Sequence, residues 1–398
     1  MSITVPIASP DKPQTAEEVL ERVNTLVPVL HSRAAATEKL RRIHPENLRD
    51  LTEAGVFRLA MPADVGGYQA DEETVAEVLA QIARGCPSSS WICTIMIAVS
   101  VIPALLVDAA AEEIYATPDL RMTAAFAPTG RAVPVRGGYR VTGRWLWNTG
   151  GIHGQWFMPA CMTPTDTGEQ MLMTVLPAAA LAYQDNWHAA GMSGTATNTV
   201  TATDVFVPGH RTIFVKDLAE GHYPARRYSD DPYYSRPWLM YTNATSAPTL
   251  LGIARGAMDS FLRTLPTRGA ITYTSWSKAA EAPVLHHQLA KAQLALESAE
   301  MLTARLSRLY RDAMDTPPSM QQRVQARAWM GHVATLARDC VNRLFEASSA
   351  SQTLLAADLQ RYFRDINVLH QHAAIQPNSS DELYGRFLAG LGPNSDVL

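Results

Sequence analysis

The first part of the chain has its apolar residues at helical spacing. After Asp71, whose carboxylate can accept hydrogen bonds from the free amides of a first helical turn, the apolar residues fall on one helix face: Val75, Val78, Leu79 and Ile82. Gly85 then follows as a helix stop. We therefore predict an N-terminal helical domain over residues 1–120.

Between residues 121 and 215 the pattern changes to alternation of β-branched or aromatic residues with polar ones. The segment Val200–Val207 alternates in this way and ends at Pro208-Gly209. Gly137-Gly138 marks a turn before another segment of the same kind. Short alternating segments with regular turn signals are typical of an antiparallel β-domain, which we predict here.

Helical spacing returns from residue 241 onward, in four long amphipathic segments. The first apolar stripe begins at Leu251 and steps by three and four residues, and Pro317-Pro318 interrupts the series. Such segments predict a C-terminal four-helix bundle over residues 241–398. Residues 216–240, rich in aromatic residues and proline, are predicted to form a surface loop. The predicted fold class is α+β, mostly α.

One apolar run requires a decision between a membrane span and a core helix. Trp91–Val107 carries no charge over 17 residues. A transmembrane helix needs roughly 20 apolar residues, and this run contains Cys93, Thr94, Ser100 and Pro103. We predict a buried core helix and no membrane span.

Charge and cysteine content exclude several classes of protein. The 34 basic and 38 acidic residues give a net charge of −4, so we expect no nucleic-acid or lipid partner. The four cysteines form no C-x-x-C pair, which disfavours a thiolate zinc site or a redox centre. The first residues lack a charged segment followed by an apolar run, so we expect no secretory signal and a cytoplasmic location.

Several common catalytic motifs are missing from the sequence. There is no G-x-G-x-x-G after a strand, no phosphate loop ending in G-K-[ST], and no G-x-S-x-G nucleophile elbow. The 11 histidines have no metal-ligand spacing, and His370 and His372 would point apart on a helix. The sequence therefore predicts neither a resident nicotinamide site nor a metal site.

Four short motifs remain as candidates for chemistry. They are Cys86-Pro87-Ser88-Ser89-Ser90-Trp91, Gly143–Gly150 with the core Trp147-Asn148-Thr149-Gly150, Gly191–Thr197, and Arg364-Asp365 followed by His372. Each alone has a structural interpretation: a hairpin turn, a loop, a surface ion pair or a partly exposed histidine.

Together and in this order, the motifs make the sequence resemble the acyl-CoA dehydrogenase superfamily. The closer similarity is to its oxygenase branch, the two-component monooxygenases that take reduced flavin from a separate reductase. The resemblance extends from about residue 35 to residue 385. It implies an acyl-CoA dehydrogenase-like fold with N-terminal helices, a central β-domain and a C-terminal four-helix bundle, assembled as a homo-oligomer, either a tetramer or a dimer.

The resemblance also implies the residues that bind flavin. Trp147, Asn148, Thr149 and Gly150 match the W-x-T motif, whose hydroxyl lies beside the N5/O4 edge of the ring. Ser193, Thr195 and Thr197 match an R-x-S-x-T stretch that contacts the ribityl chain or the phosphates. Ser90, Trp91 and Arg268 complete the set of residues that the resemblance implies for the cofactor site. The family has arginine where this sequence has Ser193, which removes one positive charge from the site.

Two of these matches lie outside the W-x-T and R-x-S-x-T motifs. Ser90-Trp91 corresponds to a segment that lines the flavin pocket in the oxygenase branch. Arg268 corresponds to an arginine near the phosphates of a neighbouring subunit's cofactor.

His372 distinguishes the oxygenases from the dehydrogenases in this comparison. Some dehydrogenases have a catalytic glutamate eight residues after the R-D pair, where this chain has Ala373, and no acidic residue lies between Ile366 and Asn378. His372 follows Asp365 by seven residues, which resembles the flavin hydroxylases. With an ordinary histidine pKa near 6.5, it is predicted either to hydrogen-bond the flavin peroxide or to take a proton from the substrate.

The resemblance thus implies a reduced-flavin-dependent monooxygenase with His372 and Thr149 as catalytic residues. FADH2 or FMNH2 would react with O2 to give a C4a-hydroperoxyflavin, which would hydroxylate an aromatic or polycyclic, indole-type or phenolic, small molecule. A separate NAD(P)H-flavin reductase would supply the reduced flavin. The alternatives on the same fold are an N- or S-oxygenase and a flavin oxidase or dehydrogenase.

Overall fold

The computed structural model describes residues 13–395. The first twelve residues, on which the expectation of no secretory signal chiefly depends, lie outside this range. Within it, helices precede and follow a central sheet, which confirms the predicted fold class.

The N-terminal part is helical. Its helices are α1 (Ala16–Leu40), α2 (Pro45–Glu53), α3 (Glu72–Gly85), α4 (Pro87–Ser100), α5 (Ile102–Leu105) and α6 (Asp108–Tyr115). Asp71 caps α3 as predicted, because its Oδ1 accepts a hydrogen bond from the Thr74 amide at 2.8 Å. The apolar face predicted for α3 is buried in the main core. The N-terminal cap and the apolar face predicted from the sequence thus both stabilise α3.

The central part is an eight-stranded sheet with one parallel pair. Its strands are β1 (Met122–Val135), β2 (Gly138–Asn148), β3 (Trp156–Thr165), β4 (Gly168–Thr174), β5 (Leu176–Pro177), β6 (Ala182–Gln184), β7 (Asn198–Pro208) and β8 (Thr212–Phe214). The strand order is β6-β7-β2-β1-β3-β4-β8, with β5 on β3. The pair β1–β3 is parallel and the others are antiparallel, so the prediction of an antiparallel domain needs this one correction.

The sheet has a small core of its own around Trp145. The indole is fully buried and donates a hydrogen bond to the Ala160 carbonyl at 2.8 Å. A Cβ at Gly130 would lie 2.1 Å from this ring and one at Gly143 would lie 2.6 Å from it. Glycine at both positions therefore makes room for the tryptophan.

The C-terminal part is a helical bundle. Its long helices are α9 (Trp238–Thr264), α10 (Pro283–Asp312), α11 (Met320–Glu346), α12 (Leu359–Leu369) and α13 (Pro377–Leu388), after the short α7 (Val215–Glu220) and α8 (Pro232–Ser235). The first bundle helix begins at Trp238, well before the apolar stripe that predicted it. The connection between α9 and α10 spans residues 265–282 and contains single turns of 3-10 helix.

Much of the segment predicted as a surface loop is packed into the core. Tyr233 and Tyr234 are buried, and the Arg236 side chain is fully buried against Glu72, with its Nη1 2.6 Å from the carboxylate. The guanidinium also lies 4.1 Å from the Tyr310 ring centre. The polar composition of the segment concealed this, because its one buried charge is neutralised by a residue far away in the sequence.

The long apolar run forms the central helix of the N-terminal part. With α5 it spans Pro87–Leu105, and 94% of its most apolar 18 residues are buried inside the protein. This confirms the prediction of a core helix. The helix α4 packs against β1 and α9, so it lies between all three parts of the fold.

Candidate functional site

The β2 strand ends in a bulge that turns one tryptophan outward. The pairing with β7 shifts register between Trp145 and Asn148. Trp147, at this irregularity, has a φ of 60° and is 67% exposed. A non-glycine residue in this left-handed region is uncommon, and bulges often redirect a side chain next to a functional site. Trp147-Asn148-Thr149-Gly150 is therefore a corner that leaves the sheet and not a hairpin turn.

This corner packs directly on α4. Gly150 has a φ of 65°, and a Cβ there would lie 3.1 Å from Ile92. Its amide donates to the Thr195 carbonyl at 2.9 Å, which joins the corner to the Gly191–Thr197 segment. Asn148 is fully buried, and neither its Oδ1 nor its Nδ2 has a hydrogen-bond partner within residues 13–395. The structure thus brings two of the sequence motifs together around a buried unpaired amide.

Three threonine hydroxyls form a relay between these two motifs. Thr195 Oγ1 donates to the Met192 carbonyl at 2.8 Å. Thr197 Oγ1 lies 2.6 Å from Thr195 Oγ1 and 3.0 Å from Thr149 Oγ1. Each hydroxyl has a single hydrogen. With the Thr195 hydrogen on the Met192 carbonyl, all three contacts are satisfied when Thr197 donates to Thr195 and Thr149 donates to Thr197.

The relay leaves Thr149 as an acceptor. Its one hydrogen is committed to Thr197, while its oxygen lone pairs keep room for a donor from outside. Ser193 is in the same position, since its hydroxyl donates to the Ala189 carbonyl at 2.8 Å. This wall of the site, which we call the hydroxyl wall (Thr149, Ser193, Thr195 and Thr197), therefore suits a ligand that supplies its own donors. A phosphate, which needs donors, does not fit Ser193.

The Arg364-Asp365 pair ties α12 to the loop that carries the hydroxyl wall. Asp365 Oδ1 accepts the Met192 amide hydrogen at 2.5 Å, and Arg364 donates to the Ala190 carbonyl at 2.9 Å. Arg364 also pairs with Glu38 of α1. A Cβ at Gly191 would lie only 2.3 Å from the Arg364 carbonyl oxygen, so this close approach requires glycine.

The Asp365 carboxyl is buried, and its pKa is higher than usual for an aspartate. Burial is the main cause that raises its pKa to about 7, and the charge of Glu38 adds to this, while the Met192 amide and the Arg364 and Arg361 guanidinium groups act in the opposite direction. Arg364 and Asp365 therefore connect α1, α12 and the hydroxyl wall inside the protein and are not a surface ion pair.

His372 lies beyond the end of α12. The helix ends at Leu369, and His370 is its C-cap. His370 and His372 therefore do not share a helix; a shared helix is the reason we gave for expecting them to point apart, and that reason is wrong. His370 is 8% exposed, whereas His372 is exposed. The His372 ring meets the edge of the Trp91 ring of α4, with 5.1 Å between centres and 75° between planes. The turn after α12 thus presents His372 against α4.

The imidazole of His372 is neutral at physiological pH. Desolvation is the main cause that lowers its pKa to about 4, and the nearby Arg327 guanidinium contributes. This corrects the assumption of an ordinary pKa.

One ring nitrogen of His372 already has a partner. Nδ1 accepts the Ala374 amide hydrogen at 3.2 Å, so the hydrogen of the neutral ring is on Nε2. His372 therefore offers one N–H donor to a ligand. Arg327, which donates to the neighbouring Ala373 carbonyl at 3.1 Å, has no acidic partner within residues 13–395.

Ser90 does not belong to the site. It is fully buried, its hydroxyl donates to the Leu79 carbonyl at 2.8 Å, and Thr249 Oγ1 lies 2.8 Å from it. These bonds join α4 to α3 and α9. The predicted contact of Ser90 with flavin is corrected accordingly, while its neighbour Trp91 reaches His372.

Arg268 lies apart from the other predicted residues. It donates to the Ala347 carbonyl at 2.9 Å and borders a groove of about 820 Å³ whose lining includes Ser348, Ser349 and Gln352. Its Nη1 is buried without a hydrogen-bond partner among residues 13–395. Within one chain, Arg268 and the hydroxyl wall do not form a common site.

Two features of the site were not found from the sequence. Arg327 lies on α11, and nothing in its neighbourhood along the chain connects it with His372. The acceptor state of Thr149 depends on a chain of hydrogen bonds across three segments. Motif spacing contains no signal for either, whereas Gly191 and Asp365 were at least within the motifs.

The chain is similar to known proteins over nearly its full length. Residues 244–377 match the family described as "Acyl-CoA dehydrogenase, C-terminal domain". A "Pigment production hydroxylase" of a Rhodococcus species is 32% identical over 391 residues, which cover 96% of this chain and 99% of the relative. The "Flavin-dependent monooxygenase, oxygenase subunit HsaA" of Rhodococcus jostii is 30% identical, with 95% and 100% covered.

A solved structure shares the same arrangement. XiaF from a Streptomyces species, determined in complex with FADH2 and glycerol, superposes with a TM-score of 0.88 at 27% identity. The match covers 96% of this chain and 98% of XiaF.

Proposed function

Because the chain belongs to the family of flavin-dependent monooxygenase oxygenase components, we propose that it hydroxylates an aromatic small molecule with reduced flavin and O2. The observation that carries the proposal is the hydrogen bond between Asp365 of α12 and the Met192 amide in the loop of the hydroxyl wall. It joins, in one rigid unit, the acceptor groups suited to a reduced flavin and the turn that presents His372.

The residues at the corner after β2 fit a flavin. The buried side-chain amide of Asn148 has no hydrogen-bond partner among residues 13–395, and an unsatisfied buried polar group costs about 1–3 kcal/mol. The polar edge of a flavin would relieve this cost. Exposed Trp147 offers an aromatic surface beside it. When bound, reduced flavin would supply the electrons that activate O2.

The acceptor state of Thr149 favours the reduced form of the cofactor. Reduced flavin carries a hydrogen on N5, whereas N5 of oxidised flavin is an acceptor. Since the Thr149 hydrogen is committed to Thr197, Thr149 can accept from N5–H but has nothing to donate. We propose FADH2 as the cofactor, with Ser193, Thr195 and Thr197 near its ribityl chain; the FADH2 complex of XiaF supports this choice.

His372 would act as a hydrogen-bond donor. Its Nε2–H is free, its Nδ1 is engaged, and its low pKa keeps the ring neutral. Of the two roles predicted from the sequence, donation to the oxygen atom being transferred is therefore favoured over removal of a substrate proton. Preorganised donors of this kind stabilise charge that develops during the reaction.

The surroundings of the site would exclude water. The α4 helix lies beneath Gly150 and contacts His372 through Trp91, and its residues are buried except Ile95. Reactive oxygen intermediates decay when water and stray proton donors reach them. An uncharged, tightly packed wall would lengthen their lifetime.

The proposed partners follow from what the sequence lacks. Without a dinucleotide fingerprint, the chain needs a separate NAD(P)H-flavin reductase, as the words "oxygenase subunit" in the name of the Rhodococcus jostii relative support. We propose a cytoplasmic location, where both components would meet.

A homo-oligomer, tetrameric as our first choice, would complete the binding of flavin. Leu294 and Met301 are 59% and 65% exposed and lie on one face of α10, two turns apart. Such an apolar face is suited to contact with a second copy. The unpaired Nη1 of Arg268, at the edge of a groove lined by serine hydroxyls, would then bind the phosphates of the neighbouring subunit's cofactor.

The division of labour between two proteins provides the test. The purified chain should not oxidise NADH or NADPH by itself. Addition of a flavin reductase, FAD and a phenolic substrate should give hydroxylated product. Strong NADH oxidation by the chain alone, or reductase-driven turnover that yields a desaturated product with no added oxygen, would contradict the proposal. Light scattering at micromolar concentration that shows a monomer would contradict the assembly.

A further inference from the structure

One face of α4 runs from the turn that carries His372 to an aromatic pair formed by Phe126 and Trp238. Trp91, Ile95 and Ala98 are four and seven residues apart, so they lie on the same side of the helix. Seven residues correspond to about 10 Å along a helix. Ile95, in the middle, is the one residue of α4 that is only partly buried, so this face is partly accessible there.

The near end of this face carries the polar groups. The Trp91 ring contacts His372, whose free Nε2–H is described above. The Arg327 guanidinium is close enough to influence the His372 imidazole. A phenolate oxygen of the substrate would find the positive charge of Arg327 at this end, while the single N–H of His372 stays available for the oxygen atom being transferred.

The far end is aromatic. The Ala98 carbonyl accepts the Trp238 Nε1 hydrogen at 2.7 Å, which fixes the indole at the start of α9. Phe126 stacks on this indole, with 5.4 Å between centres and 23° between planes. Phe126 follows Ala125 at the irregularity where β1 loses register with β3, and it is 37% exposed. The bulge therefore projects an accessible ring towards the end of the α4 face.

The two chain segments that form the wall between the ends carry no charged side chain. Residues 87–107 contain no Asp, Glu, Lys or Arg, and residues 126–129 are likewise uncharged. A carboxylate placed against such a wall would lose its hydration without gaining a partner. The polarity of the residues named here is thus one-sided, with the charged side chain of Arg327 at the His372 end.

We propose that this wall binds the apolar body of a phenol with at least two fused rings, whose hydroxyl lies beside Arg327 at the His372 end and whose distal ring contacts Phe126. A substrate with a carboxylate on the distal ring is rejected. The inference rests on the proposed function, because it names the substrate class of that site. Phe126 is the residue that sets the preference for length.

Three probe compounds and two matched variants test the proposal. The dissociation constants of phenol, 2-naphthol and 6-hydroxy-2-naphthoate are measured without oxygen, both with and without reduced FAD. The variants are Phe126→Ala and the control Phe206→Ala, since Phe206 is also an exposed phenylalanine of the sheet, 42% exposed, and lies beside Arg140. Removing Phe126 costs little stability because its ring is partly open to solvent.

We expect 2-naphthol to bind at least tenfold more tightly than phenol and than 6-hydroxy-2-naphthoate. Phe126→Ala should weaken 2-naphthol about tenfold, the size of one aromatic contact, and phenol less than twofold. Phe206→Ala should change neither. Equal losses for phenol and 2-naphthol in Phe126→Ala, or tight binding of the naphthoate, would overturn the inference.

The inferred preference for fused-ring phenols and the proposed function can be contradicted independently of each other. Binding constants decide the inference whether or not turnover occurs. If a reductase and FAD give no hydroxylated product from any phenol, the proposed function fails. If product forms from phenol as readily as from 2-naphthol, the function stands and the length preference falls.

Discussion

The two sides of the candidate site use hydrogen bonds in opposite ways. On the hydroxyl wall, the hydrogens of Thr149, Thr195 and Thr197 are committed within the protein. Around His372, one nitrogen is fixed by the Ala374 amide and the other is free to donate. One side therefore offers acceptors and the other a donor.

This difference separates the residues suited to binding the cofactor from the residue suited to the reaction. A wall of saturated hydroxyls is rigid and selects a ligand by its donors, which is what a cofactor site needs. A single free donor on a neutral ring can follow charge as it develops, which is what oxygen transfer needs. Asp365 links the two sides through its hydrogen bond with the Met192 amide.

Removal of the donor should have the largest effect. His372→Ala should lower the product formed per reduced flavin consumed by roughly 10²–10³-fold, as for loss of one preorganised donor. Reduced flavin should still be consumed, with oxygen released as hydrogen peroxide. His372→Gln, which keeps an N–H donor, should recover part of the yield.

The neighbouring histidine is the control for this experiment. His370 is buried and does not share the exposure of His372. His370→Ala should lower the midpoint of thermal unfolding and leave the product yield near the wild-type value. If both variants had wild-type yield, the assignment of the donor side to His372 would be lost.

Separation of the two sides should come next in size. Asp365→Leu leaves the Met192 amide buried without an acceptor, which costs about 1–3 kcal/mol, and we expect about a tenfold loss of affinity for reduced flavin. Asp365→Asn keeps an acceptor oxygen and should bind flavin nearly as well as the wild type. Equal losses in the two variants would indicate a role for the charge instead of the hydrogen bond.

The same carboxyl should affect stability with a definite sign. Its pKa is raised to about 7 in the folded chain, so between about pH 4 and pH 7 the folded state holds a proton that the unfolded state has lost. The free energy of unfolding should therefore decrease as pH rises through this window. Urea unfolding at pH 5 and pH 8 should show a smaller decrease for Asp365→Asn than for the wild type; an identical decrease would contradict the shift.

A moderate effect is expected on the hydroxyl wall. Thr149→Ala should weaken binding of reduced FAD about fivefold, which corresponds to a net hydrogen bond of about 1 kcal/mol, and should leave binding of oxidised FAD unchanged. Anaerobic titration of both redox forms measures this. Equal weakening of both forms would mean that Thr149 is not a selective acceptor.

The smallest effect on the site is predicted for Ser90. Ser90→Ala removes buried hydrogen bonds between α4, α3 and α9, so stability should decrease by about 1 kcal/mol while flavin affinity stays the same. A loss of flavin affinity without a loss of stability would return Ser90 to the cofactor site.

The sequence was sufficient for the fold because its apolar periodicities are long and regular. The stripe of α3 and the uncharged run of α4 predicted their burial correctly. The surface loop was misjudged because buried Arg236 finds Glu72 more than 160 positions away, a pairing that local composition does not indicate.

The candidate site was only partly predictable from the sequence. Motif order brought together Thr149, Thr195 and Thr197, and their hydrogen bonds agree with that grouping. The direction of those bonds, the tautomer of His372 and the proximity of Arg327 depend on three-dimensional contacts, so spacing alone left the role of His372 open.

Isotope labelling of the product tests the central claim most directly. The purified chain is supplied with a flavin reductase, NADH, FAD and a phenol under ¹⁸O2, and the hydroxylated product is analysed by mass spectrometry. A monooxygenase component predicts one ¹⁸O atom in each product molecule. Product that carries oxygen from water, or consumption of ¹⁸O2 with no labelled product from any phenol, would contradict the account.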